Sequence, residues 1–155
     1  MQAQNLSSGA VEASTPPNIK RYLVKETWKE YEVTLEVNHD VLTVETASLI
    51  NGFWSSAGDR LSAENGDIVR TVIRLFGQTM IYRMLSEGGA SFSITTKNLM
   101  TGDNPGPFWT EDLHNEEGWG GTEPGPYGFC GIRVIAADVD TPSYDDVELV
   151  EVSYA

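Results

Sequence analysis

The sequence is short of the residues that carry most protein chemistry. Its 155 residues include one cysteine, Cys130, so no disulfide can close within the chain, and a reducing compartment is expected. It has two histidines, His39 and His114. One thiol and two dispersed imidazoles do not supply the four closely spaced ligands of a zinc site. No stretch approaches the roughly 18 apolar residues of a membrane-spanning helix. No Lys or Arg precedes Lys20 and no long apolar run lies before it, so no secretory leader is expected.

Positive charge is scarce as well. Lys plus Arg number 10 against 23 Asp plus Glu, a formal net charge of −13. Residues 103–155 hold a single cation, Arg133, among twelve carboxylates, a net of −11, while residues 1–102 carry only −2. Such a chain lacks the cations that release counterions from exposed nucleic acid, and it is repelled by anionic membrane surfaces. Arg70, Arg74 and Arg83, with Lys20, Arg21 and Lys25, are the cations that a nucleic-acid surface would have to use.

What is present fits one domain. About 40% of residues are hydrophobic, enough for a packed core. Residues 1–18 are small and polar, ending in Pro16-Pro17, and read as a flexible tail before a domain spanning 19–155. Strands are expected at 22–28 and 31–37, joined by a turn at Lys29-Glu30. In the second, Tyr31, Val33, Leu35 and Val37 alternate with Glu32, Thr34 and Glu36, one apolar face against one charged face. Arg21 and Lys25 would stand beside those glutamates.

Thr43 is a helix N-cap candidate, with apolar residues following at helical spacing until Gly58-Asp59 ends the helix. Asp67 caps a second, longer helix whose stripe runs through Val72, Ile73, Phe76, Met80, Ile81 and Met84 to Gly88-Gly89. Residues 91–100 fit a short strand or a helical turn equally well. Residues 101–131 form a Gly/Pro-rich loop with one helical turn near 109–114, and strands are expected at 131–139 and 147–154. The order ββαα-loop-ββ defines an α+β two-layer sandwich, with a mainly antiparallel sheet and helices on one face.

Catalytic signals are sparse, and no catalytic residue, metal ligand or cofactor is assigned. His39-Asp40 lies at a strand-to-helix junction, where a turn role competes with a general base. His114 lies among Asp112 and Glu116, which would hold its proton and suit a pH-sensitive contact, or leave it a solvated loop histidine. Cys130 lacks a local cation or helix N-terminus to make thiolate and reads as a buried thiol. Asp138, Asp140, Asp145, Asp146 and Glu148 could bind a hard cation, but their spacing is not that of a twelve-residue calcium loop. Gly118-Trp119-Gly120-Gly121 is not a phosphate-binding fingerprint.

The remaining constellation is a loop that mixes aromatics with carboxylates. Interfaces favour aromatic anchors with charge at the rim. The candidate contact residues are Trp109, Glu111, Asp112, Glu116, Glu117, Trp119 and Glu123, with Asp138, Asp140, Asp145 and Asp146. The competing reading is that the aromatics fold back as a small core over the sheet.

Several segments resemble a phage and prophage family catalogued as domain of unknown function 2528. They are Ile19-Lys-Arg-Tyr-Leu-Val, Trp28, Glu32-Val-Thr-Leu-Glu-Val, His39-Asp-Val-Leu-Thr and Ile50-Asn-Gly-Phe-Trp54. Gly66-Asp-Ile-Val-Arg70, Glu116-Glu-Gly-Trp119 and Gly131-Ile-Arg133 join them, so the resemblance spans roughly 19–139. It implies a small protein from a mobile element and brings no activity or catalytic residue. Charge and that context together lead to an expected function. The chain would be an acidic interaction protein that inhibits a host defence machine, of the anti-CRISPR or anti-restriction kind, by occupying a basic nucleic-acid-binding surface. Its partner would be a basic host protein or nucleoprotein complex in the host cytoplasm, without direct nucleic-acid or membrane contact; a homodimer is compatible. The alternatives are a metal-assisted hydrolase using Asp138, Asp140, Asp145 and Asp146, or an oligomeric phage component.

Overall fold

The computed structural model describes residues 18–153, so the expected N-terminal tail and the end of the last expected strand lie outside the described residues. Four strands form one sheet: β1 (Ile19–Lys25), β2 (Glu32–Asn38), β3 (Gly89–Phe92) and β4 (Ile132–Asp140). Among the described residues, four α-helices accompany the sheet: α1 (Val44–Phe53), α2 (Ala57–Ala63), α3 (Ile68–Ser86) and α4 (Gly106–His114). The sheet order is β1-β2-β4-β3, with every neighbouring pair antiparallel. This is the expected α+β class.

The β2 alternation sets the two faces of the sheet. Val33, Leu35 and Val37 are fully buried against α3, while Glu32, Thr34 and Glu36 point to the other side. On β4 a bulge beside Thr34/Leu35 inserts an extra residue, so Ile132 and Val134 share the inner face with Ala137 and Val139 despite the broken alternation. Across this face lies α3, which buries Val72, Ile73, Phe76, Met80, Ile81 and Met84 at spacings of three and four. Its N-cap Asp67 accepts from the Arg70 amide at 3.0 Å, and Thr43 caps α1 by accepting from Thr46 at 3.2 Å.

Some elements differ from the sequence expectation. Strand β1 begins and ends three residues earlier, at Ile19 and Lys25, which leaves Trp28 in the hairpin turn with Glu30 at φ +64°. The first helix ends at Phe53, and Gly58-Asp59 fall inside α2 instead of ending α1. Arg60 explains the extra helix: it donates to the Asn51 side chain at 2.8 Å and to the carbonyls of Asn51 and Ser55, drawing the chain back on itself. The fourth strand is β3, paired with residues 137–140 of β4. Residues 147–153, expected as a strand, have none of the ladder partners that would make them one and lie exposed. The order is therefore ββαααβαβ.

Candidate functional site

Residues 101–131 are an ordered structure built around the open half of β4. Strand β3 pairs only with residues 137–140 of β4, so the groups on that edge from Ile132 to Val134 need other partners. Helix α4 supplies them. Thr110 Oγ1 accepts from the Val134 amide at 3.0 Å, and one turn later His114 Nε2 donates to the Ile132 carbonyl at 2.7 Å. Leu113 and His114 are fully buried as a consequence. Burial pulls the His114 pKa below its ordinary value, outweighing the Ile132 hydrogen bond and the nearby Glu111 charge, which both raise it. The ring is a neutral structural group and neither a solvated loop histidine nor one whose proton is held more tightly.

The aromatics of this region divide. Trp119 is fully buried, edge-on to Phe76 with ring centres 5.2 Å apart and tilted against Trp54 at 5.3 Å. It is a core residue, so its expected place in a contact surface is overturned. Trp109 is half-buried against the core, with Phe108 exposed beside it. Cys130 is also buried, and burial pushes its thiol up to about 12.

The expected acidic contact residues do not form one cluster. Asp112 and Glu116 both pair with Arg83, Glu116 at 3.2 Å. Glu111, Glu117 and Glu123 are exposed. Asp138 and Asp140 lie at the other end of that strand; Asp138 is four residues beyond Val134, about 13 Å along it. Asp145 and Asp146 follow in a short turn, where Asp146 accepts from the Ser143 amide at 2.9 Å. Among the described residues, no group of three or more His, Cys, Asp or Glu side chains is placed to hold a metal ion. The tetrad Asp138, Asp140, Asp145 and Asp146 thus does not assemble the metal centre that a hydrolase would need.

The second acidic group gains neighbours that the sequence did not reveal. Asp138 pairs in register with Glu32, and Glu32 with Lys25. Residues directly opposite in an antiparallel pair share a face, and like charges there are unfavourable. Glu26 and Glu30 lie in the adjoining hairpin turn, where the Glu26 carboxylate accepts from the Lys29 amide at 2.9 Å. At the tip of this turn Trp28 is 86% exposed. This end of the sheet therefore carries a bare indole at the hairpin tip together with Glu30, Glu32, Asp138 and Asp140, and with Lys25 and Lys29. Trp28 was missed as a contact residue because the strand was expected to run through it; the adjoining Lys29-Glu30 turn was the available signal.

The arginines, by contrast, pair with groups of the same chain, although Arg21, Arg70 and Arg74 stay largely exposed. Arg21 and Arg133 both bond Glu36, at 3.1 and 2.6 Å, while Arg70 and Arg74 share Glu64. Arg83 and Arg60 are engaged as described above. Glu36 also accepts from the Tyr127 hydroxyl at 2.7 Å. Burial raises the Glu36 pKa, but the hydrogen bonds from Tyr127, Arg133 and Arg21 outweigh it and leave the carboxyl below its ordinary value. His39 Nε2 lies 2.8 Å from the Tyr22 hydroxyl.

The chain belongs to the family described as "Protein of unknown function (DUF2528)", whose model matches residues 32–149. Two curated relatives are phage or prophage proteins. Protein ea10 of Escherichia phage lambda and the lambda prophage-derived protein ea10 of Escherichia coli O6:H1 (strain CFT073) are each 29% identical over 129 residues, covering 83% of this chain and 91% of theirs. No solved structure matches the chain. Among the described residues, no helix is long and apolar enough to cross a membrane.

Proposed function

We propose that this protein is an acidic interaction protein of phage origin that inhibits a host defence machine by occupying a basic, nucleic-acid-binding surface. The observation that carries the reading is the exposed Trp28 together with Glu30, Glu32, Asp138 and Asp140 at one end of the sheet. A single exposed aromatic gives a partner an anchor, and the carboxylates around it steer a basic surface into register. The carboxylates at this end, with Glu26, outnumber its two cations, Lys25 and Lys29, so the net charge still favours a basic partner. Family context supports a role in the host cytoplasm, and the absence of a gathered metal site gives the hydrolase alternative no support.

The test is phage plating on hosts carrying single defence systems, of restriction or CRISPR type, with and without this protein. Expression should restore plating on at least one such host. A variant combining Trp28→Ala, Glu30→Gln, Glu32→Gln, Asp138→Asn and Asp140→Asn should lose that effect while keeping its fold by circular dichroism. Full restoration by the variant would place the contact elsewhere; no restoration on any host would reject the reading. Capture of the target by the wild type should weaken as salt rises.

A further inference from the structure

The sheet has one long open edge. Strand β1 has a neighbour only on its β2 side, so its outer backbone N–H and C=O groups have no strand partner among the described residues. Beside this edge run two adjoining cavities of about 490 and 240 Å³, which share Val24, Lys25, Glu64 and Arg74. Their floor is apolar where Ile73 and Leu75 of α3 meet Val24, and Arg70 and Arg74 stand at the side. An open strand edge next to an apolar groove is the arrangement that accepts an extended segment as an added strand.

The same chain carries a segment of matching chemistry. Residues 147–153 have the sequence Val-Glu-Leu-Val-Glu-Val-Ser, rich in strand-forming residues, yet lie in no strand. Val147, Leu149, Val150 and Val152 are all exposed, and Leu149 is 99% so. The segment is seven residues long, as is β1. Their charges are opposite: β1 holds Lys20, Arg21 and Lys25, and the segment holds Glu148 and Glu151 just after Asp145-Asp146.

We propose that residues 147–153 of one copy add as a fifth strand to the β1 edge of a second copy, reciprocally, to form a two-fold dimer. One face of the added strand offers Val147, Leu149 and Glu151 to the groove and its arginines. The other offers Glu148 and Val150 to Lys25 and Leu23, and Leu23 is half-exposed on the outer face of the single chain. In a chain on its own the segment stays off its β1 edge, which is why its apolar side chains face water. Reciprocal exchange is the arrangement that closes with two copies.

The test uses the full chain throughout. Sedimentation equilibrium of the wild type should give twice the 17.0 kDa chain mass, and hydrogen exchange at the amides of β1 should be at least about tenfold slower than in a monomeric variant. Val147→Asp with Leu149→Asp, at exposed positions, should return the mass to one chain. Lys25→Glu with Arg70→Glu should do the same, and adding Glu148→Lys with Glu151→Lys should restore the dimer. A wild type that stays monomeric at about 1 mM would overturn the proposal. So would a dimer indifferent to these changes, or β1 protection in a chain of monomer mass, which would mean that the segment folds onto its own edge.

Discussion

His114 holds its Nε2 2.7 Å from the carbonyl oxygen of Ile132 and its Nδ1 3.3 Å from the Thr122 hydroxyl, so one imidazole joins helix α4, the following loop and strand β4. The ring is neutral in the fold and its pKa lies below the ordinary 6.5. The unfolded chain binds a proton more readily, so this contribution is complete above 6.5, is lost as pH falls from 6.5 toward the lowered value, and levels off below it. Denaturant unfolding at about pH 7.5 and about pH 5.5 should show that loss. His39, also lowered, by burial first and Lys20 next, adds in the same direction. His114→Asn should be less stable at both values and show a smaller pH dependence than the wild type. An unchanged pH dependence would remove His114 as its source.

Glu36 is the hub of the outer face, and its loss should be felt through several partners. Glu36→Ala should cost about 1–3 kcal/mol by chemical denaturation, because Arg133 and Tyr127 lose their acceptor while remaining partly solvated. Tyr127→Phe should cost about 1 kcal/mol and add little in the Glu36→Ala background. The wild-type contribution is present above the ordinary carboxyl value of 4.5 and is lost as pH falls below it. Additive losses in the double variant would show that the two side chains do not act together.

Cys130 should be inert in the folded chain. Its thiol is pushed up to about 12, so thiolate is negligible near neutral pH. A thiol reagent should label one equivalent only after denaturant is added. Fast labelling of the native protein would mean that the segment from Tyr127 to Ile132 opens readily.

Gly128 tests how tightly the loop is seated on α4. Its φ is +69°, and a Cβ there would lie 2.6 Å from His114 Nδ1 and 2.9 Å from the Gly121 carbonyl oxygen. Gly128→Ala should cost roughly 2 kcal/mol or more, read as a lowered Tm, since the fixed backbone oxygen cannot yield as a flexible side chain could.

The parts of the fold legible in the sequence are those decided locally. The alternation of Val33, Leu35 and Val37 gave β2, and the side chains of Thr43 and Asp67 marked two helix starts. Strand β3 was obscure because Gly89-Ala90-Ser91-Phe92 has little strand preference, and only its ladder with β4 makes it one. Residues 147–153 show the opposite case: strand chemistry without a strand, because in the single chain they pair with no strand. Helix α4 begins at Gly106 after Pro105, with no side-chain cap to announce it. The candidate site failed in the same way. Nothing local separates Trp119 from Trp28; their positions are set by Phe76 and Trp54 around one and by a hairpin tip under the other.

The seal that Thr110 and His114 place on β4 also limits how the molecule can aggregate. Fibrillar stacking of sheets requires two bare edges, one to receive and one to offer. On the β4 side this sheet presents a helix and a four-residue strand, too little to template a neighbour. Among the described residues, edge-to-edge addition is therefore confined to β1, so this acidic chain should resist fibre formation at high expression.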